Sequence, residues 1–170
     1  MFACTTRSTA SVPIMTFDHS SSIFHIGILV RDMQTSCTEL GESMGVTWTD
    51  VVTRTDQRIW TPEHGQRTVP LTFVYSREAP QHLELIEGPV DTPWDWRKHE
   101  GVHHSGVWAD VPRLTDDLLA KGWTLVASQV SPDEGYGSFT YVLSPGGFLL
   151  EPVAEANRER FDRWFSTGKL

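Results

Sequence analysis

The feature that most constrains this chain is an internal repeat. The run HIGILVRDM at 25–33 returns as HSGVWADV at 104–111. Both copies read His-x-Gly-aliphatic, and both lead to an aspartate placed to open a helix. A second pair follows in the same order: LELIEGP at 83–89 and LLEPVA at 149–154 each carry a glutamate on the last strand-like run of their half. Two copies of one supersecondary unit must share a core, so the repeat has to be read before any single motif. The first half alternates as a buried strand (IFHIGILV), a helix with Met33, Cys37, Leu40 and Met44 at helical spacing, and three further strands (46–61, 68–76 and 81–88). Asp32 and Gly45 supply its start and stop signals. The second half repeats the pattern from VHHSGVWA, with a helix opened by Asp110 and Pro112 and stopped at Gly122. The predicted fold is α+β: two βαβββ modules forming a cupped, partly closed sheet. Module one spans 23–88, the Pro- and Trp-containing segment 89–101 links it to module two at 102–155, and 156–170 reads as a C-terminal amphipathic helix. Residues 1–22, rich in Ser and Thr, read as a disordered tail.

Composition excludes some partners. Net charge is −8 and no Lys/Arg run exceeds two residues, which argues against nucleic acid or an anionic membrane surface as the main partner. No apolar run approaches the ~18 residues a membrane helix needs. Cys4 and Cys37 are the two cysteines. They form no CxxC and no disulfide framework, a usage that suits the reducing cytoplasm.

The repeat sets His25, Glu84, His104 and Glu151 in matching positions. One imidazole and one carboxylate from each half, presented to a common cavity, suit a divalent first-row metal: Zn, Ni, Co, Mn or Fe. His103 and His104 are adjacent on a strand, and strand alternation points them to opposite faces. His104 aligns with His25 through His-x-Gly, so His104 is expected to face the cavity and His103 to pack or hydrogen-bond on the other side.

HIGILVRDM, HLELIEG, HHSGVWADV and SPGGFLLEPV together resemble the vicinal oxygen chelate superfamily, which includes glyoxalase I, methylmalonyl-CoA epimerase, extradiol dioxygenases and bleomycin-resistance proteins. The resemblance runs from about Ile23 to Ala154, and HHSGVWADV is most similar to the epimerase-like branch. It implies that His25, Glu84, His104 and Glu151 take the four metal positions. It also implies chelation of two adjacent substrate oxygens, with Glu84 and Glu151 as catalytic bases for a proton leaving the carbon next to a carbonyl. The implied reaction is an epimerisation, isomerisation or lyase-like step through a chelated enolate. The substrate would be a small organic acid, acyl thioester or polyketide-like compound, and the enzyme a homodimer. Leu29 stands where bacterial glyoxalase I has an arginine, and Gly88 where it has an asparagine, which argues against glutathione. Glu84 argues against an iron extradiol dioxygenase, and the complete ligand set against a metal-independent binding or resistance protein. Those two remain the alternatives.

Strand alternation extends the expected pocket. Leu29 shares a face with His25, Trp108 with His104, and His82 and Ile86 with Glu84. Tyr136, between two glycines in the loop 131–139, is expected to reach the substrate from a flap. Leu29, His82, Trp108 and Tyr136 are therefore the candidate substrate contacts, with core packing the alternative for Trp108, an exposed edge-strand position for His82 and a plain hairpin loop for Tyr136. Trp60, Trp94 and Trp96 could form an apolar rim or pack the modules together.

Overall fold

The computed structural model describes residues 23–99 and 101–170; the expected tail and Cys4 lie outside them. Module one runs β1 (Ile23–Leu29), α1 (Met33–Met44), β2 (Val52–Thr61), β3 (Gly65–Tyr75) and β4 (His82–Glu87). Module two repeats it as β5 (Gly101–Ala109), α2 (Val111–Leu119), β6 (Thr124–Ser128), β7 (Thr140–Leu143) and β8 (Leu149–Ala154), and α3 (Arg158–Thr167) follows. The helix starts are where the capping chemistry put them. The Asp32 carboxylate accepts from the Thr35 N–H at 2.7 Å, and Asp110 from the Arg113 N–H at 3.3 Å. Gly45 closes α1 in the left-handed conformation, φ 70°. The expected strand at 46–61 begins only at Val52. Before it, Trp48 makes a lone bridge to Ser76 and donates its indole N–H to the Cys37 carbonyl at 2.9 Å, which ties this segment to α1 as well as to the end of β3.

Each module forms a four-stranded half-sheet, in order β1-β4-β3-β2 and β5-β8-β7-β6. In both, the first and last strands pair parallel and the others antiparallel. The halves join along one long seam, β1 antiparallel to β5, and close on the far side where β2 meets β6 at the Trp60–Ser128 pair. The result is a barrel with one thin edge, which matches the predicted cup.

The interior is aromatic. Phe73, Tyr75, Trp94 and Tyr141 are buried inside, and α3 adds Phe161, Trp164 and Phe165 over one end. Each such ring buries about 150–250 Å², on the order of 4–6 kcal/mol of gross transfer free energy. The linker is part of this core. Trp94 is only 1% exposed and donates its indole N–H to the Tyr141 hydroxyl at 3.1 Å. A Cβ at Gly88 would lie 2.4 Å from the Trp94 Cβ, so a bare backbone at 88 is what lets the linker turn inward. Asp95 is buried beside it, clamped by the Arg97 guanidinium at 2.9 Å, which holds its carboxyl well below the usual range. α1 packs on the outside of β1 and β4 through Met33 and Leu85.

Candidate metal centre

The seam between the modules brings the four matched residues together. In the β1–β5 register His25 sits opposite Gly106, and Gly27 opposite His104. The parallel pairs extend these rows, with Gly27 beside Glu84 and Gly106 beside Glu151. The two His-x-Gly motifs therefore interlock. A Cβ at Gly27 would lie 1.9 Å from Cε1 of His104, and one at Gly106 would lie 1.9 Å from Cε1 of His25. Each repeat's glycine is the space that the other repeat's imidazole occupies.

The ring nitrogens and carboxylates converge. His25 Nε2 lies 2.9 Å from His104 Nε2, 3.0 Å from Glu151 Oε2 and 3.3 Å from Glu84 Oε2. His104 Nε2 lies 3.2 Å from Glu151 Oε2 and 3.3 Å from Glu84 Oε2. One potential ligand atom from each residue falls within 4.8 Å of all the others, and all four residues are buried. Cation–ligand bonds of ~2.0–2.1 Å give neighbouring ligand atoms ~2.9–3.4 Å apart in octahedral or tetrahedral geometry. All five of these distances fall in that range. Glu84 Oε2 has no hydrogen-bond partner although it is buried, a state costly for a carboxylate oxygen unless a cation completes it. The residues thus fit a divalent ion.

The protonation states follow from the same crowding. Burial alone would lower the His104 pKa, but the adjoining Glu151 and Glu84 carboxylates outweigh it and raise it to about 9. Burial likewise opposes ionisation of Glu151, yet the two imidazoles hold its carboxyl well below the usual range. Without an ion the cluster is a buried ion pair, and an incoming cation must displace its proton.

His103 departs from the alternation argument. The β1–β5 register slips between Gly27–His104 and Ile28–Val102, leaving His103 as the extra residue of a bulge. Its ring does not turn to the opposite face. Its Nδ1 lies 3.1 Å from Nδ1 of His104, and burial, with His104 and His99 nearby, lowers its pKa to about 3. A neutral His103 can accept the Nδ1 proton of His104, which leaves His104 Nε2 free to bind an ion. His25 has no such support: its Nδ1 is buried without a partner.

The two carboxylates of the cluster open onto a cavity of about 290 Å³. Glu84 and Glu151 line it, with Ile86, Trp94, Tyr75 and Tyr141 among its walls. The two tyrosines extend the repeat beyond what the motifs revealed. Each lies on the third strand of its module, and Tyr75 is the direct cross-strand partner of Glu84. Burial and the two carboxylates raise both phenols well above their ordinary pKa, so both are neutral hydroxyls. The signal was present in LTFVYS and SFTYVLS, where each half places a tyrosine in its penultimate strand.

The four expected substrate contacts are elsewhere. Trp108 stacks on Phe24 at a centroid distance of 3.8 Å, under the edge of Phe161. His82 stacks on Phe165, also at 3.8 Å, and its Nδ1 bonds to the Ser76 carbonyl at 2.8 Å; burial lowers its pKa. In both cases α3 covers the part of the barrel that alternation had assigned to the pocket. Leu29 is core. Tyr136, buried and with φ 66°, turns to α2 and not to the cavity, donating its hydroxyl to Asp116 at 2.7 Å, while Ser138 and Phe139 of the same loop line the cavity.

Paired βαβββ modules, joined along their first strands with two imidazoles and two carboxylates at the junction, define a class of fold and site. The chain belongs to the Glyoxalase/Bleomycin resistance protein/Dioxygenase superfamily, whose sequence model matches residues 24–141. A hypothetical protein from Bacillus halodurans C-125 has a similar structure, with TM-score 0.58 and 17% identity over 79% of this chain and 94% of that one. A variant of Streptomyces coelicolor methylmalonyl-CoA epimerase in complex with 2-nitronate-propionyl-CoA gives TM-score 0.55 and 20% identity, over 80% and 95% of the two chains. Methylmalonyl-CoA epimerase from Mycobacterium tuberculosis gives 0.56 and 16%, over 86% and 97%. No curated protein matches the sequence. Among the described residues no helix is long and apolar enough to cross a membrane.

Proposed function

We propose that this protein is a metal-dependent enzyme that moves a proton on the carbon next to a carbonyl. The observation that carries the reading is the convergence of the buried His25, Glu84, His104 and Glu151 within 4.8 Å, with both glutamates lining a cavity. These residues would hold Zn, Ni, Co, Mn or Fe as the divalent ion. Such an ion supplies Lewis acidity toward a carbonyl oxygen. The chain supplies the rest. Glu84 and Glu151 come from different modules and both face the cavity, so one carboxylate can take a proton from the substrate carbon and the other can return one. That pairing favours epimerisation or isomerisation over a one-way elimination, and the epimerase relatives make epimerisation the reaction to test first. The neutral Tyr75 and Tyr141 hydroxyls are available as hydrogen-bond donors toward developing oxygen charge. A small organic acid, an acyl thioester or a related carbonyl compound is the substrate class, and the expected assembly is a homodimer.

The test has two stages. Metal analysis of the purified protein should return about one divalent ion per site, lost in His25→Ala and His104→Ala. Candidate 2-methyl acyl compounds incubated with the enzyme in D₂O should then incorporate deuterium, and Glu84→Gln and Glu151→Gln should each abolish it. Small-molecule binding that is undiminished by chelators, with no exchange in any candidate, would overturn the reading.

A further inference from the structure

Above the cluster, the cavity carries two arginines that the proton chemistry does not use. Arg54 comes from β2 and Arg160 from α3, and both line the cavity. Neither makes an ion pair among the described residues, whereas Arg97, Arg158 and Arg163 each have a carboxylate within 3.2 Å. Arg54 is held in place: its Nη1 donates to Gln57 Oε1 at 2.7 Å, and the buried Gln57 is in turn anchored by its Nε2 to the Arg58 carbonyl at 2.9 Å. Its guanidinium lies over Phe73 with the centroid at 5.1 Å, and that of Arg160 lies over Phe161 at 5.6 Å. Both rings are walls of the same cavity. Burial and, after it, the positive charge of Arg160 lower the Arg54 pKa, against the opposing pull of Tyr75, Glu84 and Asp56.

Charge accounting points the same way. Two carboxylates around a divalent ion leave the floor neutral. Arg54 and Arg160 then stand as two cations lining one cavity, neither in an ion pair among the described residues, in a chain of net charge −8. Arg54 is half-buried and held by Gln57, while Arg160 is exposed at the rim of the cavity; a fixed guanidinium with a second one at the mouth, neither ion-paired to the protein, is an arrangement that binds a carboxylate or phosphate.

We infer that Arg54 and Arg160 form an anion subsite, so that the substrate carries a carboxylate or phosphate group at the end away from the oxygens held at the four-residue cluster. The inference rests on the functional reading above for which end faces the floor, but not for the existence of the subsite. It also gives α3 a role: the helix lies beyond the residues matched by the superfamily and delivers one of the two cations.

Two arms of a calorimetric titration test it. In the first, the metal-free protein is titrated with glutarate and, separately, with inorganic phosphate. Arg54→Gln and Arg160→Gln should each weaken the preferred anion at least tenfold, and the preference identifies which oxyanion the subsite takes. In the second, Zn-loaded protein is titrated with 2-oxopentanoate, 2-oxoglutarate and 2-oxoadipate, which share a chelating end and differ in a terminal carboxylate. One of the two diacids should bind at least tenfold tighter than 2-oxopentanoate, and the ratio should fall below threefold in either variant. If the protein takes up no zinc but the first arm behaves as expected, the functional reading fails and the subsite stands. If zinc binds and the arginine variants leave both arms unchanged, the subsite fails and the metal site stands.

Discussion

Gly27→Ala tests the interlock of the two repeats. The added methyl would lie 1.9 Å from Cε1, 2.3 Å from Nδ1 and 2.6 Å from Nε2 of His104. Ordinary contact begins near 3.4 Å, so the ring must retreat by about 3.4 − 1.9 = 1.5 Å or the seam must open. The ring has little room to do so: His104 is 2% exposed, with Tyr141 at 5.0 Å and His25 at 5.0 Å between centroids. Overpacking of this kind costs about 1–3 kcal/mol, offset by the ~0.4–1 kcal/mol that replacing glycine withdraws from the unfolded chain. Net destabilisation should be about 1–2 kcal/mol. The effect on metal should be far larger, because metal–ligand distances tolerate only about ±0.2 Å and a ring displaced by ~1.5 Å no longer coordinates. Loss of metal affinity by at least ~100-fold is expected, with the fold intact by circular dichroism. Gly106→Ala should do the same through His25. Gly146→Ala, whose new methyl would come no nearer than 3.8 Å to Ser144 Oγ, should change neither property. The packing argument can be separated from the metal by a double variant. With the imidazole gone, Gly27→Ala should cost nothing further in a His104→Ala background, a non-additivity read by chemical denaturation. Metal affinity within threefold of wild type in Gly27→Ala, or full additivity in the double variant, would refute the interlock.

Three further outcomes follow from the same geometry. His103→Leu removes the acceptor at Nδ1 of His104 and should weaken metal binding ~10–100-fold in competition with a chelator, with part of the loss restored in His103→Gln; unchanged affinity would show that the bulge is incidental. In the metal-free protein, His104 gains a proton relative to the unfolded chain up to about pH 9, against an ordinary value of 6.5, and Glu151 is depressed from 4.5. The pair's contribution should therefore be full between about pH 4.5 and 6.5 and be lost as pH rises from 6.5 toward 9, and also as it falls below 4.5. Melting in excess chelator at pH 6 and pH 9 should show the lower Tm at pH 9, with the difference reduced in His104→Gln; an equal difference in that variant would assign the trend to other groups. Trp164→Ala empties a site that is 1% exposed and packed edge-on to Tyr75 and Phe73 at 5.3 and 5.9 Å. It should cost about 3–5 kcal/mol in urea denaturation, and a cost below ~1 kcal/mol would mean that α3 is not seated as described.

The sequence alone determined the two-module plan, because its evidence is local and repeated. Apolar runs, Asp32 and Asp110 as caps, and the recurrence of His-x-Gly and of a late glutamate are all legible within a few residues. The repeat also selected His25, Glu84, His104 and Glu151 from seven histidines and twenty-two acids. What it could not determine depends on register between distant strands. Strict alternation assigned His103 to the wrong face because a bulge shows only when β1 is laid against β5. It left Trp108 and His82 open to the pocket because α3, fifty residues or more from either, covers their part of the barrel. The cradling role of Gly27 and Gly106, the inward turn of Trp94 and the placing of Arg54 and Arg160 at one cavity likewise join segments that sequence proximity does not link. A side chain's direction along its own strand is set by local backbone geometry, but what it meets there is set by closure of the barrel.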